Sequence, residues 1–233
     1  MPAPIPKPPS SASMELLSRS GAAAEMGAAP LKGGSLLTRR GSRGLSNCSD
    51  DGSPFPVDYS KIDLSSIKQL FSAQRASVDH FWDTLDYSQV QRFAQECVDC
   101  RGVICFTGVG KSGFIAHKIS QTLVATGTKA VFLSPTDALH GDIGILSEED
   151  LLVLLFKEGD GDELLKLVPY AKAKGAKLAA VSTDQNSPLI QYCDINVALP
   201  LQRELCPYNQ EPVTSTSLQI LFGDTVAIAL MQA

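Results

Sequence analysis

Long apolar runs are missing from this chain. No stretch approaches the ~18 consecutive apolar residues of a membrane-spanning helix, so no membrane partner is expected. A basic surface is missing too: the formal net charge is −5 and the lysines and arginines are scattered, which argues against a nucleic-acid partner. Histidine is scarce, with three in 233 residues. The one C-x-x-C, Cys97-Val-Asp-Cys100, is followed by no second pair and no histidine pair, so neither zinc nor any other metal is expected. It closes a helical stretch instead of opening one after a strand, which also argues against redox chemistry. The six cysteines are irregularly spaced, and Cys105 and Cys193 sit in or beside apolar runs where a free thiol packs as a small hydrophobe. That suggests a reducing compartment, the cytoplasm by default.

What is present is a 44% hydrophobic sequence, enough for one sizeable domain and an extension. Residues 1–57 are rich in Pro, Ser, Ala and Gly, without sustained apolar periodicity, and are expected to be a disordered leader. Arg19, Arg39, Arg40 and Arg43 among serines resemble an organelle (for example plastid) transit peptide, but Glu15 and Glu25 count against it.

Residues 58–101 read as two lead-in helices, the first from the spacing of Ile62, Leu64, Ile67, Leu70, Phe71, Val78, Phe81 and Trp82, the second from Ser88 to Cys97. From 102 to 233, apolar runs alternate with amphipathic ones. Strands are expected at Val103–Thr107, Ala130–Leu133, Leu151–Phe156, Leu178–Ser182 and Ile195–Leu199. Helices are expected at Lys111–Ala125, Glu163–Lys174, Ser187–Tyr192 and Thr214–Met231. The alternation specifies an α/β fold: a five-stranded parallel sheet between helical layers, with the loops that follow strands gathered at one ligand-binding edge.

The richest segment is Cys105-Phe-Thr-Gly-Val-Gly-Lys-Ser-Gly113, an apolar strand running through a glycine turn into a helix, a ready anion pocket. A Walker A loop would need a glycine where Cys105 stands. A dinucleotide fingerprint fits Gly108, Gly110 and Gly113 but needs an acidic residue after the second strand, which ends in Ser134-Pro135. No nucleotide or other cofactor is therefore expected. A sugar-phosphate site is the third candidate for such a turn.

That turn, together with Ala125-Thr-Gly-Thr128, Ala138-Leu-His-Gly-Asp-Ile-Gly144, Arg203-Glu-Leu-Cys-Pro207, Pro212-Val-Thr-Ser-Thr-Ser217 and Phe222-Gly-Asp-Thr225, resembles the sugar isomerase (SIS) domain. The closest resemblance is to the D-arabinose 5-phosphate isomerases. It implies a flavodoxin-like three-layer sandwich and interconversion of D-arabinose 5-phosphate with D-ribulose 5-phosphate, which in that family feeds synthesis of the acidic sugar Kdo. It also implies a homodimer or homotetramer. Matching the family's catalytic positions are Lys111, Glu163 and Glu204, with His140 as a further acid, base or ligand. Gly108, Gly110, Ser112, Gly127, Thr128, Gly159, Thr214, Ser215 and Thr216 match its substrate-binding positions. Some members carry a metal-binding histidine before the proline that is Pro135 here; Ser134 stands there instead. Many continue into a segment with a further catalytic histidine and paired CBS domains, whereas this sequence reaches Ala233 directly after the closing helix.

One loop departs from the family. Its phosphate anchor, roughly Ser-x-Ser-Gly-x-Thr/Ser-x-Glu, reads Phe156-Lys-Glu-Gly-Asp-Gly-Asp-Glu163. Phe156, Glu158 and Gly161 replace hydroxyl residues, and Glu158, Asp160 and Asp162 add negative charge. Lys157 is expected to offset part of it. Two readings follow: an arabinose 5-phosphate isomerase, or a non-catalytic SIS module that senses sugar phosphate or serves assembly.

Overall fold

The computed structural model describes residues 63–157 and 162–233, so the leader expected over 1–57, and Glu158, Gly159, Asp160 and Gly161, lie outside the described residues. Two helices open the described chain, α1 (Leu64–Thr84) and α2 (Tyr87–Asp99). Each begins on an aspartate. Asp63 accepts from Ser66 N at 3.3 Å, and Asp86 accepts from Ser88 N at 2.9 Å, which satisfies N–H groups the helix itself leaves open.

Five parallel strands follow: β1 (Ile104–Thr107), β2 (Ala130–Phe132), β3 (Leu151–Phe156), β4 (Lys177–Ser182) and β5 (Ile195–Ala198). They lie in the order β2-β1-β3-β4-β5. Helices α3 (Gly110–Ala125), α5 (Asp162–Ala173) and α6 (Thr214–Gln232) complete the layers. β3 is central and buried along its whole length. Its side chains alternate between two cores, as the period of two requires. Leu151, Val153 and Leu155 join Phe81, Phe93, Ile119 and Phe222 beneath α1, α2, α3 and α6. Leu152, Leu154 and Phe156 join Leu164, Leu167 and Leu189 on the α5 side. α6 is long and apolar enough, by length and composition only, to cross a membrane. Here Leu218, Phe222, Val226 and Ala227 are buried, and Phe222 meets Phe93 with ring centroids 5.5 Å apart.

Two local expectations change. Ser187–Tyr192 is not an α-helix but a 3₁₀ turn at Ile190–Tyr192: the Ser187 hydroxyl and carbonyl take the N–H groups of Leu189 and Ile190, so the tighter pattern is satisfied first. The segment after β2, expected as loop, contains a short helix α4 (Pro135–Leu139). Pro135 presets its first turn, and Ser134 accepts from Asp137 N at 3.4 Å.

Candidate active site

The strand-to-helix turn after β1 is set by glycine at three positions. Gly110 has φ +59°, where a side chain would be strained. Gly108 and Gly113 let strand tip and helix touch backbone to backbone, since a Cβ on Gly113 would stand 2.5 Å from the Gly108 carbonyl oxygen. α3 therefore begins directly over the end of β1. Val109 holds its N-cap position and no side chain caps it, so the helix turns its first N–H groups and the positive end of its dipole toward the sheet edge.

Two clefts open beside this turn, with Val109 between them. One, of about 270 Å³, is walled by Lys111, Ser112, Lys157, Phe156, Gln210 and Pro212. The other, of about 320 Å³, is walled by Gly108, Gly110, Ser134, Thr136, Glu163 and His117 among others. A cation thus stands on one side of the helix start and a carboxylate on the other. The Lys111 ammonium is half-exposed and ion-pairs with Glu211. His117 stacks on Phe132 at 5.3 Å.

Glu204, which the resemblance places among the catalytic positions, lies in the loop between β5 and α6. The residue is completely buried. Its Oε2 accepts from Val213 N (2.9 Å), Thr214 N (2.7 Å) and Ser215 N (3.3 Å), so its carboxylate occupies the N-terminus of α6. Oε1 lies 3.7 Å from the Lys157 ammonium and accepts no hydrogen bond from the described residues. Burial raises the carboxyl's pKa, but the adjacent Ser215 hydroxyl and the three backbone N–H groups outweigh it and hold the group below the usual glutamate value. Lys157 is accordingly turned inward to Glu204 and to the Gln210 carbonyl (3.4 Å).

The hydroxyls opening α6 are mostly engaged within the protein. Thr214 donates to Gln74 Oε1 (3.3 Å) and accepts from Leu205 N (3.0 Å). Thr216 donates back to the carbonyls of Pro212 and Val213 (3.0 and 3.1 Å). Ser215 is fully buried; its Oγ is close enough to Glu204 to favour the charged carboxylate but makes no hydrogen bond of normal geometry. Ser112 accepts from buried Gln219 Nε2 at 3.4 Å, which ties the starts of α3 and α6 together.

Three expected residues are not brought into this group. Gly127 and Thr128 lie between the end of α3 and the start of β2, at the opposite edge of the sheet. There they terminate the helix, with Gly127 at φ +96° and Thr128 N bonded to Leu123 O at 2.8 Å. The reason is topological: a segment that precedes a strand cannot reach the edge where strands end. His140 closes α4, exposed, and lines neither cleft. Gly159 lies outside the described residues. Phe156 is a core residue at the end of β3, 3% exposed.

Reading by motif missed Glu211, Gln219 and the cleft position of His117. Glu211 directly precedes Pro212 and the run that opens α6, the one hint in sequence that it lies at the ligand edge. His117 and Gln219 sit inside helices, where only the helix's rotation decides what they face.

A SIS domain profile matches residues 98–229. The chain is 39% identical over 168 residues to arabinose 5-phosphate isomerase KpsF of Escherichia coli O6:H1 (strain CFT073), a match that covers 72% of this chain and 51% of that protein. It spans about half the length of the curated relatives it matches. A protein of E. coli CFT073 solved in complex with arabinose 5-phosphate superposes with a TM-score of 0.70 at 30% identity, covering 73% of this chain and 93% of that one. The NanR protein of Vibrio vulnificus, complexed with ManNAc-6P, shares the fold at 15% identity and a TM-score of 0.62, over 72% of this chain and 62% of NanR. Sequence, topology and strand-edge site agree: the chain belongs to the SIS domain family.

Proposed function

We propose that this chain carries the isomerase site that interconverts D-arabinose 5-phosphate and D-ribulose 5-phosphate. The observation that supports it most is the placement of Lys111 and Glu163 in neighbouring clefts on either side of the open start of α3. The reaction moves hydrogen from C2 of the aldose to C1 while the carbonyl passes from C1 to C2, through an enediolate. Glu163, exposed in its cleft, takes the proton from C2 and returns it at C1, while the O2 hydroxyl proton passes to O1. Lys111 and the first N–H groups of α3 stabilise the developing oxyanion. Ser112 binds beside them. Glu204, enclosed and with its carboxylate already shared among three N–H groups, acts by holding Lys157 and the start of α6. No redox cofactor enters, since the aldose and ketose are isomers.

The chain works as a homo-oligomer in this reading. Every residue from 63 to 73 is exposed, including the apolar series Leu64, Ile67, Leu70 and Phe71. A helical start without packing is marginal alone, and a second copy covers it. The described cysteines are all free thiols.

A non-catalytic sugar-phosphate module is the second reading. It is favoured by Glu204 filling the α6 N-terminus, where an anion would otherwise bind. The deciding experiment measures ketose formation from D-arabinose 5-phosphate by the purified chain. Turnover lost in Lys111→Met and Glu163→Gln supports the isomerase. Ligand-induced stabilisation without turnover, including in a variant with Phe156, Glu158 and Gly161 changed to Ser, Ser and Thr, supports the module.

A further inference from the structure

The cleft beside the α3 start has two lysines in its wall, and the loop between β5 and α6 supplies a carboxylate to each. Glu204 faces Lys157, and Glu211 pairs with Lys111. The two carboxylates are held very differently. Glu204 is fully buried and bound by three N–H groups. The Glu211 side chain is 58% exposed and its lysine partner 48% exposed. A pair this open to water is weak and yields to a more highly charged anion at the same lysine.

The backbone around Glu211 is fixed, so only its side chain needs to move. Asn209, at φ 56°, accepts from Glu204 N at 2.6 Å, Gln210 O accepts from Lys157, and Pro212 follows directly. We infer that Glu211 is an internal counter-anion: it holds Lys111 until an anionic oxygen of the substrate displaces its carboxylate. It thereby sets the site's affinity for phosphorylated sugars. This rests on the reading that Lys111 meets the substrate.

The test uses inorganic phosphate as probe, in calorimetric titrations at low ionic strength with the unaltered chain, Glu211→Gln, Lys111→Met and the double variant. Glu211→Gln is expected to bind phosphate about two- to fivefold tighter, the yield of removing one exposed ion pair. In the Lys111→Met background the gain disappears. With D-arabinose 5-phosphate, KM falls by a similar factor in Glu211→Gln and kcat changes less. An unchanged affinity, a gain that persists without Lys111, no phosphate binding in any form, or a fall in kcat at constant KM each overturns the inference. Phosphate binding needs no turnover, so a Lys111-dependent gain stands even if the isomerase assay is silent. Conversely, turnover indifferent to Glu211 removes this inference and leaves the isomerase.

Discussion

Glu204 Oε2 accepts the Thr214 backbone N–H at 2.7 Å, and through this bond a buried carboxylate from the loop after β5 caps the last helix of the fold. The same carboxylate faces Lys157. Removing it leaves a mostly enclosed ammonium and three unpaired N–H groups. Glu204→Ala is expected to lose about 2–4 kcal/mol of stability, read from urea denaturation. Loss of activity in that variant reports structure before chemistry.

The pH dependence of stability follows from the direction of the shift. The Glu204 pKa in the folded chain lies below its ordinary value of 4.5. Its contribution is therefore complete above that value and is lost as pH falls through the lower folded one. The stability difference between the unaltered chain and Glu204→Gln should be constant from neutrality to about pH 5 and shrink on further acidification. A difference that grows on acidification contradicts the assignment.

Lys111 contributes one exposed ion pair to the fold, so Lys111→Met should leave the thermal midpoint nearly unchanged. Its effect belongs to the reaction. A loss of about 10²–10³ in kcat/KM is expected for removal of an oxyanion-stabilising group, measured by ketose formation.

The two kinds of glycine in the β1–α3 turn should respond differently. Gly113→Ala drives a Cβ into the Gly108 carbonyl and should cost about 1–3 kcal/mol through forced separation of strand and helix. At Gly110 no atom of the described residues lies within 4 Å of an added Cβ, so the φ of +59° is what opposes alanine, at about 1 kcal/mol. Denaturation midpoints of the two variants separate steric overlap from backbone strain.

Burial pushes the thiols of Cys97, Cys105 and Cys193 up to about 12 from 9.0. They should resist alkylation at pH 8 in the folded chain and react once it is unfolded. Because the folded state disfavours these thiolates, stability should fall as pH rises above 9.0 toward 12. Rapid native-state labelling at all three sites would contradict the packing described.

The sheet was legible because a parallel strand buried on both faces must be apolar throughout: Leu151–Phe156 can hardly be anything but the central strand. The glycine turn at 108–113 was legible for a similar reason, since only glycine permits both the positive φ and the backbone contact. These features are local, and the alternation of apolar and amphipathic segments determined the α/β class and the edge where the β1–α3 turn must lie.

What each polar side chain meets is set by the completed fold. The burial of Glu204 is not visible in Arg203-Glu-Leu-Cys-Pro207, because its three partners lie nine to eleven residues away, at the start of α6. Gly127-Thr128 matched a binding motif in sequence, yet the order of helix and strand puts it at the far edge. Lys111 finds Glu211 a hundred residues on, Ser112 finds Gln219, and His117 reaches the cleft by the rotation of α3. Backbone conformation and burial pattern are dictated by neighbours in sequence. Charge pairing and hydrogen bonding act between groups that only the completed sheet brings within a few ångströms.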